Sequence, residues 1–427
     1  MSKNVVFIMM LIPLVAVVLL SCSPNEAEVD TFDWPRWRGP TGDGISLETD
    51  WNPAALAGGP KILWRENIGL GHSNLAVMDN RLYTMGKTRD GNTVFCLNAD
   101  TGEQLWRFAF KGLRELQSTP ATDGKFVYAL SYEGILLCLK ARNGKLRWKR
   151  DLVSDFDVTE PYYGFAASPV IEGDLIVLTA NNYGMALDKR TGEMVWMSEK
   201  PPEKVSESST GPHYSTPVMY DYDGIRYSLI SNYEGLHSVE VATGKMRWTY
   251  PWDPFRGQHA TEPIVFDDKV FVTRYNKAGC VLLDIGDNTP KVLWKNENLS
   301  SDISSPVLVD GYIYGCDGGP EVGFGTLRCL DAETGDLMWE DGLRAGSYPR
   351  METASLISAA GKLIILEKDG TLHIAEASPS SYQEISRCDI LEGELTVRWF
   401  WTYPVLYRGK IYCRSYGGDL VCIDVSK

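Results

Sequence analysis

The 427-residue chain sets 42 Lys and Arg against 56 Asp and Glu, a formal net charge of −14, and is 44% hydrophobic, 23% charged and 11% aromatic. That is ordinary globular composition and excludes a disordered or collagen-like chain. The acidic balance argues against a nucleic-acid or anionic-membrane surface, because both reward clustered positive charge.

The chain opens Met1-Ser2-Lys3-Asn4 and continues as an apolar run from Val5 to Leu20, interrupted by Pro13. The run falls short of the roughly 20 residues that a helix needs to cross a bilayer, so it reads as an export signal and not as an anchor. The sequence Leu19-Leu20-Ser21-Cys22 resembles the lipobox of bacterial lipoproteins. The resemblance implies a signal peptide over 1–21, acylation of Cys22 with palmitate-type chains, and membrane attachment through the N-terminal lipid only. Ser23 stands where an inner-membrane retention signal would show Asp, so the expected address is the outer membrane, facing the periplasm. Residues 22–33 are acidic and poor in apolar side chains, as a flexible tether is. Residues 34–60 begin Trp34-Pro35-Arg36-Trp37-Arg38-Gly39-Pro40, and two Trp with two Pro predict an ordered strap packed on the domain that follows.

From residue 61 onward the chain repeats. Thr101-Gly102, Asn143-Gly144, Thr191-Gly192, Thr243-Gly244 and Thr334-Gly335 are each followed four residues later by a Trp, and Asn288-Thr289-Pro290 leads to Trp294 as a degenerate copy. Successive Trp at 64, 106, 148, 196, 248, 294 and 339 are spaced by 42 to 52 residues. Within a unit, β-branched and aromatic residues alternate between turns such as Asp310-Gly311 and Thr334-Gly335, which are strand and hairpin signals. No segment shows comparable helical periodicity. Each unit is therefore a four-stranded antiparallel sheet with two apolar faces, and only neighbouring units can cover both.

The predicted fold is all-β, an eight-bladed β-propeller over residues 61–427. Seven units begin near Leu75, Thr119, Ser168, Thr216, Glu262, Ser305 and Ala354, and the eighth has only three strands before Lys427. Residues 61–67 form a lone strand carrying Trp64, and pairing it with the last three strands closes the ring. Trp64, Trp106, Trp148, Trp196, Trp248, Trp294 and Trp339 are read as inter-blade wedges. Such a ring is complete without a second subunit, so a monomer is expected. Cys96, Cys138, Cys329 and Cys422 share one third-strand position, where other blades have Ala186, Ser238, Leu282 and Ile374. Equivalent cysteines on facing sheets about 10 Å apart are too distant to bridge, so buried free thiols are expected.

The repeat Leu-Asp-x-x-Thr-Gly-x-x-x-Trp, as in Leu330 to Trp339, resembles that of the PQQ-like propeller family, first described in quinoprotein alcohol dehydrogenases. Among exported lipoproteins the resemblance is to the BamB-like outer-membrane assembly lipoproteins. It implies a non-enzymatic scaffold that binds protein or peptide partners in the cell envelope, with no nucleic acid, metal or cofactor. The segment from Asp33 to Pro40 resembles the N-terminal element of a broader group of PQQ-like repeat proteins. The alternative reading is a periplasmic dehydrogenase using PQQ and calcium. The cysteine pair and haem site found among such enzymes are missing here, since the chain has neither Cys-Cys nor CxxCH. A third reading is a propeller that binds carbohydrate or a small ligand.

No Ser-His-Asp order, P-loop or dinucleotide fingerprint is present, so no catalytic residue is assigned. Candidate binding residues come from the loops entering the innermost strands, which ring one mouth of the channel. His213 and His259 each stand four residues before a strand-opening Pro, and His72 is nearly in register with them. Together with Glu262, Arg350, Glu352 and Trp401 they form a candidate polar ring. His237 and His373 read as sheet residues. The segments 200–210 and 253–256 are long connections suited to partner contact.

Overall fold

The computed structural model describes residues 32–180, 183–199, 214–232, 234–252, 260–274, 278–319, 324–341, 354–390 and 400–427. Seven four-stranded sheets and one five-stranded sheet follow one another along the chain. Each is a meander whose first strand lies innermost and whose fourth lies outermost, so the eight sheets are the blades of a propeller. Residues Ile62–Asn67 supply the outermost strand of blade 8, antiparallel to Asp419–Asp424, with Trp64 opposite Cys422 and Asn67 opposite Asp419. Lys61 Nζ closes the seam with a 2.6 Å ion pair to Asp424.

The repeated Thr-Gly and Trp residues meet between blades. The Trp of one blade packs on the glycine of the next blade's turn, and a Cβ added at Gly102, Gly144, Gly192, Gly244 or Gly335 would stand 2.6–2.8 Å from atoms of Trp64, Trp106, Trp148, Trp196 or Trp294. The indole N–H of Trp64, Trp106, Trp148, Trp196, Trp294 and Trp339 each donates to a carbonyl of the following blade, at 2.8–3.2 Å. The motif thus couples a local requirement, positive φ in a tight turn, to a non-local one, room for a neighbour's ring. Gly144 has φ +67°. Gly144→Ala is expected to lower unfolding free energy by about 1–3 kcal/mol through αL strain and displacement of Trp106. Urea denaturation measures it; an unchanged midpoint would show that the contact is dispensable.

The third-strand cysteines sit in a ladder between a second-strand Tyr and the fourth-strand Trp. Tyr83, Cys96 and Trp106 are opposite one another in blade 1, and Tyr412, Cys422 and Trp64 in blade 8. All eight cysteines from Cys96 to Cys422 are buried and free. Burial pushes the Cys96 thiol up to about 11 and Cys138 to about 12, which keeps both protonated. One element departs from the all-strand expectation. Leu152–Phe156 forms a short helix because Asp151 caps it, accepting from the Val153 and Ser154 N–H groups at 3.2 Å, and Asp157 ends it at φ 56°.

The N-terminal segment crosses the face formed by the first-to-second-strand turns. Asp33, just before Trp34, is itself buried. Trp34 exchanges backbone hydrogen bonds with Val77 of blade 1 at 2.8 and 2.7 Å, and the Pro35 carbonyl accepts from Thr122 of blade 2 at 2.9 Å. Ile45–Ser46 then adds a parallel fifth strand to the innermost strand of blade 7, Ala354–Ala359. Glu48 accepts the Arg408 and Gly409 N–H groups in blade 8 at 2.5 and 2.9 Å. Between these contacts Arg38 runs into the ring. It is 1% exposed, donates to the carbonyls of Ser305 at 2.9 Å, Pro306 at 2.7 Å and Asp43 at 2.6 Å, and lies 5.5 Å from the centre of the Tyr403 ring. Trp37 meets the same ring edge-on at 4.9 Å. This end of the channel is therefore covered by the chain itself.

Candidate functional site

At the opposite end stand the residues that precede the innermost strands. The strands open close to the axis, where a backbone N–H without an acceptor would be costly. The chain supplies the acceptor from the next blade in five cases and, for Ser305 of blade 6, from Tyr403 of blade 8. Asn74 N–H donates to Thr119 Oγ1 (3.2 Å), Thr119 to Ser168 Oγ (2.8 Å), Ser168 to Thr216 Oγ1 (3.0 Å) and Thr216 to Glu262 Oε1 (3.0 Å). Glu262 N–H continues to Ser305 Oγ (3.0 Å), and Ser305 N–H reaches Tyr403 Oη (2.5 Å). These six links make a hydrogen-bonded belt just inside the mouth. A hydroxyl or carboxylate before the strand-opening Pro, in Thr119-Pro120, Ser168-Pro169, Thr216-Pro217, Glu262-Pro263 and Ser305-Pro306, is the sequence signal for it. Ser168→Ala is expected to cost about 1–2 kcal/mol, because it leaves the buried Thr119 N–H unpaired. Thermal or urea melts read the loss, and an unperturbed melt would demote the belt to coincidence.

Glu262 belongs to this belt. Its second oxygen accepts from Ser305 Oγ at 2.5 Å and the residue is 4% exposed, so the carboxylate is spent on blade-to-blade contact. His72 and Trp401 do come together, their rings stacked at 4.7 Å and 15°, with Tyr416 against the other side of the imidazole at 4.8 Å. His213, His259, Arg350 and Glu352 lie outside the described residues, as do the connections 200–210 and 253–256 and the lipidation candidate Cys22.

Below the His72 stack lies a residue that the sequence reading passed over. Arg414 ends the second strand of blade 8, Lys410–Arg414, and is wholly buried. It crosses the ring seam into blade 1, donating to the Ser73 carbonyl, to Thr84 Oγ1 at 3.0 Å and to the Gly69 carbonyl at 3.3 Å. Among the described residues its Nε has no partner, and burial lowers its pKa to about 9. A basic residue closing the otherwise apolar run Ile411-Tyr412-Cys413 was the available signal.

The two described sheet histidines are held by different means. His237 sits between Asn232 Oδ1 at 2.9 Å and Thr249 Oγ1 at 3.1 Å. His373 sits between Glu367 and Glu384, each at 2.8 Å. The surroundings of His72 and His373 set opposite charge states. Burial, reinforced by the Arg414 charge, lowers the His72 pKa to about 3, whereas the two glutamates raise that of His373 despite its burial. His72 is therefore neutral at pH 7, and its contribution to stability declines as pH falls below about 6.5, where the unfolded chain takes up a proton that the folded one refuses. His373 has the opposite sign: its contribution is complete below about 6.5 and is lost as pH rises through its raised folded value. An imidazole NMR titration should find His72 neutral down to pH 4 and His373 still charged above pH 6.5; a ring at position 72 that titrates near 6.5 would refute the packed stack.

The described residues of the channel offer few oxygen donors for a quinone with calcium. Calcium takes six to eight oxygen ligands, and among the described residues no group of three or more His, Cys, Asp or Glu side chains is placed to hold a metal. At the described part of the mouth stand a buried cation and a stack of aromatic rings, with the one belt carboxylate already bonded.

The profile of the family described as "Outer membrane protein assembly factor BamB" matches residues 54–115 and 93–341. The chain is 24% identical to the BamB of Burkholderia pseudomallei over 322 residues, which is 73% of this chain and 75% of that protein. It is 24% identical to a tetrathionate hydrolase of Acidithiobacillus ferrooxidans over 297 residues, 62% of this chain but only 56% of the hydrolase. Among solved structures, BamB from Moraxella catarrhalis superposes with a TM-score of 0.60 at 17% identity, covering 86% of this chain and 99% of that one. A europium-containing methanol dehydrogenase superposes at 0.71 with 12% identity, covering 92% and 98%. At such identities the structural likenesses speak for the propeller alone, while the profile spans more than half of the sequence: the chain belongs to the family of the outer membrane protein assembly factor BamB.

Proposed function

We propose that this protein is a lipid-anchored scaffold of the bacterial cell envelope that binds protein or peptide partners during outer-membrane protein assembly and catalyses no reaction itself. The observation that carries the reading is the state of the channel. One end is covered by the chain's own N-terminal segment, and at the other the described polar residues are engaged in holding blades together, as Glu262 and Arg414 are. Membership of the BamB family supports the same conclusion. Rigid blades with exposed loops and strand edges suit β-augmentation, in which an extended segment of a partner adds to a sheet through backbone hydrogen bonds. Acylation at Cys22 would hold the domain at the periplasmic side of the outer membrane.

Crosslinking in intact cells followed by affinity recovery from detergent-solubilised membranes tests the proposal. Recovery with envelope proteins in defined stoichiometry is expected, and recovery alone would overturn it. The competing dehydrogenase reading makes a separate prediction, saturable uptake of PQQ with Ca²⁺ and dye-linked turnover. The donor set described above leads us to expect neither.

A further inference from the structure

The place where Phe32 and Asp33 attach restricts how the propeller can face a membrane. Phe32 lies under the Arg408 guanidinium at 6.0 Å, and Asp33 Oδ1 accepts from the Asp79 N–H at 3.4 Å. Both partners belong to first-to-second-strand turns, in blades 8 and 1. Trp34 follows at once, paired with Val77 on the innermost strand of blade 1. The N-terminal segment therefore reaches the domain near its axis, on the face opposite the His72–Trp401 mouth.

Ten peptide units separate Cys22 from Phe32. Whatever path they take, they span at most about 35 Å, and a relaxed chain of that length averages nearer 18 Å. To bring the mouth against the bilayer, the same residues would have to pass outward across three strand spacings, about 14 Å, and then along the five- and six-residue strands of blade 8, a further 17–20 Å. That route, about 31–34 Å before any side chain is passed, takes nearly the whole extended length and almost twice the relaxed one. The direct way through the ring is closed by Arg38 and Trp37.

On this basis, and resting on acylation of Cys22, we infer that the face crossed by residues 34–52 is turned toward the lipid surface and that the His72–Trp401 mouth opens away from it. The opposite face presents Leu113 at 75% and Tyr162 at 80% exposure, with Tyr163 packed against Tyr162 at 4.8 Å. In this orientation these side chains meet partners arriving through the aqueous periplasm.

The test uses the full acylated chain in vesicles carrying an acceptor fluorophore on the outer headgroups, with a donor on a single introduced cysteine. The native thiols are buried and stay unlabelled. Transfer from Asp174→Cys, on the strap face, is expected to exceed that from Tyr162→Cys about twofold, since about 13 Å of strand and the loops beyond it separate the two levels of blade 3. Equal or reversed transfer would overturn the orientation. Lengthening the tether by twenty Gly/Ser residues should bring the two efficiencies together, and a bias that survives the insertion would refute the reach argument. Co-flotation of the wild type against Cys22→Ser reads the anchor independently. If the wild type fails to float, the anchoring fails and the orientation with it, whereas floating with equal transfer rejects the orientation alone.

Discussion

Removal of residues 61–67 is expected to abolish the folded ring. These residues are the fourth strand of blade 8, and without them the strand Asp419–Asp424 keeps an open row of backbone donors and acceptors. Trp64 is lost too. With it go the hydrogen bond from its indole to the Ala99 carbonyl at 3.0 Å, its packing on Gly102 and its 5.9 Å contact with the Tyr412 ring. Blades 8 and 1 then face each other without a wedge, at the one place where chain connectivity does not hold neighbours together. A domain of this kind has a net stability of about 5–15 kcal/mol, so the truncated chain should show no cooperative urea transition and should elute as oligomers or aggregate. Trp64→Ala is the milder form and should cost about 3–5 kcal/mol while leaving a folded monomer. A truncated protein that melts cooperatively as a monomer would show that the ring holds without its closing strand.

Arg38→Ala should have the next largest effect. The guanidinium is surrounded by carbonyl oxygens of blade 6 and of the segment's own turn, and it lies over Tyr403. Charge-assisted bonds to buried acceptors are worth about 1.5–3 kcal/mol each before the loss of water is counted, and truncation leaves several carbonyls without donors. A net loss of about 3–5 kcal/mol is expected, with proteolytic cleavage of the N-terminal segment well below the global midpoint. Arg38→Lys should recover only part of this, because an ammonium cannot present the planar fork that spans Ser305, Pro306 and Asp43. Full recovery by Lys would mean that charge alone, and not the geometry of the fork, holds the segment in the ring.

These two positions differ in how legible they are. The closing strand could be read from sequence because its signal is a count: seven complete units, three leftover strands at one end and one at the other. The wedge Trp could be read because its partner, the glycine of a tight turn, recurs at a fixed distance. The belt was half visible. Its Ser and Thr stand before prolines at repeat spacing, but that they link into a chain of donors and acceptors depends on how far one blade turns relative to the next. Glu262 illustrates the difference, since in sequence it is a carboxylate at a channel mouth and in the fold it substitutes for a hydroxyl in the belt. His72 and Trp401 had been grouped on loop position alone, and the stacking that makes the imidazole neutral follows from ring closure.

The sequence by itself determined the class of fold, the number of blades and the way the circle shuts, because turn chemistry and hydrophobic alternation act over a few residues and repeat along the chain. Only the tertiary structure decided what fills the channel and which end the N-terminal segment covers. Arg38 meets Ser305 across 267 residues and Arg414 meets Ser73 across 341, and such pairs leave no periodic trace. They are set by the radial packing of eight sheets, which brings distant segments to one axis.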